Sequence, residues 1–202
     1  MNYHRFRSAL ANFPVFSIND IRSIAPSFDR RRLTEWKEKN YIRKIIKGFY
    51  YFADRELDEA RLLHIANKIY RPSYISFESA LSGYHLIPES VYAVTSASTR
   101  RTYEFDTPIS RFSYRTIHRR LFFGYRIEPG PVKIAFLEKA LLDHFYLHSS
   151  LSTEDDFISL RMNKEALLEQ LEEDRLQRYL ERFDRRALAS RIGHFLEWIR
   201  NA

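Results

Sequence analysis

The chain has 202 residues, 45% of them hydrophobic and 15% aromatic, which is enough for a packed core and excludes wholesale disorder. It contains no cysteine, so a disulfide framework and any cysteine-built zinc or iron–sulfur centre are excluded. The formal net charge is +7, and all of that excess sits in residues 1–52, which hold eleven Lys or Arg against four Asp or Glu, while the remainder holds 22 of each.

The opening MNYHRFRSALANF lacks a sustained apolar stretch behind its charges, so no signal peptide is expected. No apolar run approaches the ~20 residues of a membrane helix, so a cytoplasmic protein with no membrane partner is expected. Residues 3–12 read as a short helix with Phe6 and Leu10 on one face, ended by Phe13-Pro14. In VFSINDIRSIA, Ser17 and Asp20 form a capping-box pair, and Ile18, Ile21, Ile24 and Ala25 make the stripe of a second helix over 18–25. A third helix follows, capped by Ser27 or Asp29, with Leu33 and Trp36 inward and Asn40 as a left-handed terminator. Residues 41–46 and 49–52 read as strands around a Lys47-Gly48 turn.

Asp54 is the expected cap of a helix over 55–70. PSYIS reads as a short extended piece, and Ser76 caps a helix ending near Tyr84 or His85. From Tyr92 to Ile127 apolar and polar residues alternate. YAVTSAS, TYEF, RFSYRTIH and RLFFGYRIE read as four antiparallel strands, and VKIAF as one more. A helix is expected over 137–148 and four more over 154–161, 164–173, 175–183 and 185–200, the last with a Leu188, Ile192, Leu196 and Ile199 stripe. The predicted fold is α+β. It comprises a winged helix-turn-helix domain over 1–53 and a mixed domain over 54–202, with an antiparallel sheet and a helical part from about 150.

In that arrangement the third helix enters a DNA major groove and the hairpin touches flanking phosphate. On a helical wheel Leu33 and Trp36 face one way, and Arg31, Thr34, Glu35 and Glu38 the other. Arg30 and Lys37 lie on one shoulder, with Arg32 and Lys39 nearer the packed side. Arginine at a helix start can fork onto guanine, and Thr34 can reach a base or phosphate. Arg43, Lys44 and Lys47 of the hairpin need supply only charge. The candidate DNA-binding set is therefore Arg30, Arg31, Arg32, Thr34, Lys37, Arg43, Lys44 and Lys47.

Arg100, Arg101, Arg115, Arg119 and Arg120, with Arg111 and Arg126, form a second basic region. It extends the nucleic-acid footprint, meets an acidic protein, or pairs with the acidic segment 165–174. His144 and His148 stand four apart, but Phe145 occupies the position where the HExxH zinc pattern needs Glu, so both read as helix-end histidines and no metal is expected. A nuclease needs carboxylates and a lysine converging on a metal. Glu138 and Asp143 are five apart, so with Lys139 they read as structural charges paired to neighbouring arginines. Five glycines build no Walker loop or dinucleotide fingerprint, and Ser76 and Ser79 lack a nucleophile elbow. No cofactor and no enzymatic activity are expected.

FDRRRLTEWKEKNYIRKIIKGFYYF, IANKIYRPSYISFESALSGYHLIPESVYAVTSASTRRT, FSYRTI, LFFGY and IAFLEKALLDHFYL together resemble the AbiE-type antitoxin family of transcriptional regulators. The resemblance covers roughly residues 15–148, with PSYISFESAL and EKALLD its most specific blocks. It implies a winged-helix DNA-binding domain and an α/β C-terminal domain. It also implies autorepression at an inverted repeat in the protein's own promoter, and counteraction of a nucleotidyltransferase-like toxin in an abortive-infection operon. The DNA-reading role it implies falls on Arg30, Arg31, Arg32 and Thr34, and on Arg43, Lys44 and Lys47 of the wing. Asn40 stands where the family often has Gly before Tyr-Ile, and it tolerates the same backbone conformation. Three other roles stay open: neutralising a toxin through protein contact, acting as a stand-alone transcription regulator and, least favoured, metal-dependent nucleic-acid processing through Glu138, Lys139 or Asp143.

Overall fold

The computed structural model describes residues 1–87 and 93–201. Helix α1 (Tyr3–Ala9) is capped by the Asn2 side chain and is followed by a two-residue strand β1 (Phe16–Ser17). Helix α2 (Ile18–Ile24) starts on the expected capping box, in which Ser17 and Asp20 satisfy each other's backbone N–H groups. Helix α3 (Arg31–Glu38) has Arg30 at its cap position with no side-chain cap, and the Asp29 carboxylate accepts from the Arg31 N–H at 3.0 Å. Asn40 takes φ 53 and Gly48 φ 86, the left-handed conformations that helix end and turn require. Strands β2 (Ile42–Ile46) and β3 (Phe49–Phe52) form the hairpin, and β1 adds to its far side to give the antiparallel order β1-β3-β2.

Aromatic packing holds these pieces together. Phe6 sits 4.4 Å from Trp36 and 5.7 Å from Phe52 between ring centroids, and Phe16 lies 4.9 Å from Phe52. With Leu10, Ile21, Phe28, Leu33 and Ile42 they form a buried cluster drawn entirely from the first 52 residues. Each such ring removes about 150–250 Å² from water.

Helix α4 (Glu59–Ile69) starts later than expected. Asp58 is its cap, accepting from the Arg61 N–H at 2.8 Å, while Asp54 pairs with Arg7 at 3.1 Å. Strand β4 (Ser73–Ile75) and helix α5 (Phe77–Gly83) follow, then β5 (Ala93–Ser98), β6 (Tyr103–Asp106), β7 (Arg111–Thr116), β8 (Tyr125–Glu128) and β9 (Val132–Ala135). Helices α6 (Leu137–Leu147), α7 (Glu154–Ser159), α8 (Lys164–Gln170), α9 (Glu173–Phe183) and α10 (Arg186–Asn201) complete the chain. The buried stripe of α10 contains all four predicted residues.

The second sheet corrects two expectations. Its six strands run in the order β6-β7-β5-β4-β9-β8 and it is mixed, not antiparallel. Strands β5 and β7 are parallel, from Ala93 opposite Arg111 to Ser98 opposite Thr116, because β6 turns back on the outer side of β7. Strands β4 and β9 are parallel as well. RLFFGYRIE is not one strand either. Arg119–Leu121 forms a 3-10 turn, Gly124 takes φ 71, and only the last four residues pair, with β9 at the opposite edge. Alternation fixes which face of a strand is buried; it does not fix the neighbour. Tyr92, the predicted start of this region, lies outside the described residues. Strand β4 is buried on both faces, as befits its place inside the sheet.

The N-terminal elements meet the rest along α4. Val15, Ile45 and Tyr51 join the main core, and the Arg55 guanidinium donates to the Ala11 carbonyl. Lys68 of α4 reaches Asp20 at 2.9 Å and lies 5.2 Å from the Phe13 ring centroid. Burial opposes the Asp20 charge, but hydrogen bonds from Lys68 and Ser17 outweigh it and hold the carboxyl below its usual range. A native value below the unfolded one stabilises the fold above the unfolded value of about 3.9, and that contribution vanishes as pH falls through the native value. Asp20→Ala is expected to cost about 1–2 kcal/mol at neutral pH, from cap and bridge together. In urea unfolding its difference from the parent protein should shrink on acidification through the carboxylate range. A difference that stays constant there would contradict the assigned role.

Candidate functional site

Helix α3 buries Leu33 and Trp36 and leaves its other side to solvent. Arg30, Arg31, Thr34 and Lys37 are exposed, and Arg32 is half-buried, as the wheel expects. The Arg31 side chain is 94% exposed and only skirts Asp29 at 3.8 Å, so its five donors are free for a partner. Glu35 would repel phosphate from this face, but Lys39 holds it at 2.7 Å. On the hairpin, Ile42 enters the N-terminal cluster and Ile45 the main core. Arg43 and Lys44 are left between them at the surface, and Lys47 stands exposed at the turn. Arg43 donates through Nε to Asn40 Oδ1 at 3.2 Å, which ties the end of α3 to the hairpin. Among the described residues Arg30, Lys37, Arg43, Lys44 and Lys47 have no carboxylate within ion-pair distance.

The second basic region is also at the surface. Arg100, Arg101 and Arg115 gather at one end of the β5–β7 pair, and Arg119 and Arg120 follow directly. Arg100 lies 4.4 Å from the Tyr70 ring centroid, and Arg120 donates to the Phe183 carbonyl at 3.0 Å. The acidic segment 165–174 is not their partner. It is split between α8 and α9, and among the described residues its ion pairs join Glu172 to Arg175 and Glu173 to Arg200.

Helix α6 holds the buried ionisable groups. Glu138, Lys139 and Asp143 are each 0% exposed. The Lys139 ammonium binds Asp143 Oδ1 and donates to the Tyr74 hydroxyl at 2.8 Å. Tyr74 and Ser76 both donate to Asp143 Oδ2 at 2.8 Å, so the carboxylate is fully engaged. Burial lowers the Lys139 pKa against the opposing pull of Asp143, and burial raises that of Tyr74, with Asp143 adding to the effect. Gly124 lets this network close. A Cβ there would stand 3.0 Å from both Lys139 Cγ and Tyr179 Cε2, at a φ that already favours glycine.

Glu138 points elsewhere. It accepts from the Glu172 N–H at 2.9 Å and from Arg175 at 3.3 Å, the arginine partner expected for it. Asp143 corrects the same expectation, since its partners are Lys139, Tyr74 and Ser76 and no arginine. The two carboxylates therefore serve different neighbours and do not converge on one point. The structure also brings Glu78 of α5 beside His144 and His148. Local spacing carried no signal for Glu78, Tyr74 or Ser76, because each reaches α6 from a distant part of the chain.

Removing one member of the Lys139–Asp143 pair strands a charge in an apolar interior. Asp143→Ala is expected to cost about 3–5 kcal/mol in urea unfolding. Lys139→Met combined with Asp143→Leu is expected to cost less than the two single changes summed. Additive losses would show that the two side chains do not act as a pair.

Among known proteins, no family model matches this chain and no curated protein matches it, so a functional reading stands on these residues and on the sequence resemblance.

Proposed function

We propose that this protein is a DNA-binding antitoxin and transcriptional autorepressor. In this reading residues 1–53 act as a winged helix-turn-helix. Helix α3 lies in the major groove of the protein's own promoter, with Arg30, Arg31, Arg32 and Thr34 at base edges and Lys37 at the backbone. Arg43, Lys44 and Lys47 rest on flanking phosphate. One module reads a half-site, so two copies occupy an inverted repeat. The body, residues 54–202, counteracts a nucleotidyltransferase-like toxin.

One observation carries the reading: the whole net positive charge of the chain lies in the first 52 residues, and its cations on α3 and the hairpin are turned outward. The order of three helices and a hairpin, the separate aromatic cluster beneath them and the AbiE-type blocks all support it.

Footprinting on the protein's own upstream DNA at two salt concentrations tests the proposal. A protected inverted repeat is expected, with a log–log salt slope of about −3.6 per copy if each neutralises about four phosphates. Arg31→Ala should weaken specific binding by about 1–3 kcal/mol and relax base preference, whereas Lys47→Ala should weaken specific and random DNA alike. Equal losses for both variants on both DNAs would refute the division between helix and wing. Absence of any protected site would refute the repressor reading, and toxin neutralisation retained without it would leave the body's role standing alone.

A further inference from the structure

The last turn of α6 and the first turn of α5 meet around three potential ligands. Glu78, His144 and His148 each offer one ligand atom, and these atoms all lie within 4.8 Å of one another. Glu78 Oε1 stands 3.4 Å from His144 Nδ1. Two ligands about 2.1 Å from a tetrahedral zinc ion are separated by about the same 3.4 Å.

The state of each nitrogen makes the cluster unusual. His144 is 8% exposed, and its buried Nδ1 has the Glu78 carboxylate at 3.4 Å, a contact that, against burial, lowers the Glu78 pKa but is too long for a well-formed hydrogen bond. A buried polar atom held this loosely is under-satisfied, and an ion between it and the carboxylate is one way to complete the contact. His148 lies next to it, with the two ring centroids 4.3 Å apart. Its Nδ1 lies 2.9 Å from the His144 carbonyl. A carbonyl can only accept, so Nδ1 is the donor, and in the neutral imidazole this leaves the Nε2 lone pair for a ligand. A backbone carbonyl orienting a histidine in this way is the usual outer support of a metal ligand. Glu78 and His144 also line an open cleft of about 540 Å³, which leaves room for water or another ligand to complete the coordination.

We propose that Glu78, His144 and His148 bind a divalent first-row transition metal ion, joining the start of α5 to the end of α6. Two imidazoles and one carboxylate suit an ion of zinc's character; calcium and magnesium prefer all-oxygen sites.

The test uses untagged full-length protein, stripped by chelator and titrated with zinc in a calorimeter, with magnesium as a control. Cobalt is added in parallel for its ligand-field absorption. One zinc per chain is expected, with negligible magnesium binding and a tetrahedral cobalt spectrum. His148 is exposed, so His148→Ala leaves the core intact and should weaken zinc at least tenfold; Glu78→Gln should do the same. His194→Ala, outside the three-residue cluster, should leave affinity unchanged. Should Glu78→Gln fail to fold, His148→Ala decides alone. Absence of saturable zinc binding, or zinc affinity unaltered in His148→Ala, would overturn the proposal and leave an ordinary histidine–glutamate contact.

Discussion

Helix α6 places ionisable side chains where water cannot reach, and the architecture around it answers that constraint. A charge in an apolar interior is tolerated only with partners of suitable geometry. Lys139 and Asp143 obtain theirs from each other and from the Tyr74 and Ser76 hydroxyls. Glu138 obtains its own from α9. Strand β4 must therefore run beside α6 in one register, since a slip of one residue would turn Tyr74 to the other face. Helix α9 must approach the opposite flank closely enough for Arg175 to reach inward. The EKALLD block thus specifies neighbours as well as a helix.

The N-terminal elements follow a different logic. Their interior is aromatic and contains no buried ion pair among the described residues. Five rings and a few aliphatic side chains fix α3 against α1 and the hairpin, so its outward cations are displayed from a rigid base. This division suits a surface that meets a highly charged partner. The apolar face sets position, and the exposed face is left to electrostatics.

Features written in neighbouring residues were the legible ones. The Ser17 and Asp20 box, the left-handed Asn40, the Gly48 turn, the α10 stripe and the exposed face of α3 all follow from spacing and backbone preference. The mixed sheet was not legible, because nothing local in Ala93–Ser98 says that its neighbour is Arg111–Thr116 and not the strand between them. Strand β1 is too short to show alternation, and nothing in the spacing tells Asp54 from Asp58 as the cap of α4. The site divides the same way. The cations of α3 and the hairpin could be placed by a wheel, whereas the company kept by Asp143 and His144 depends on segments far off in sequence.

Asp20 uses its two oxygens for two separate tasks. Oδ2 accepts from the Ser17 backbone and hydroxyl at 2.7 Å, closing the box at the start of α2, while Oδ1 receives Lys68 of α4 at 2.9 Å. One side chain is therefore both a splint for a short helix and a rivet between the basic front and the neutral rear. Drawing Lys68 away would leave the Ser17 bonds in place but strip a half-buried carboxylate of its cation, so the charge that closes the box depends on the seam behind it.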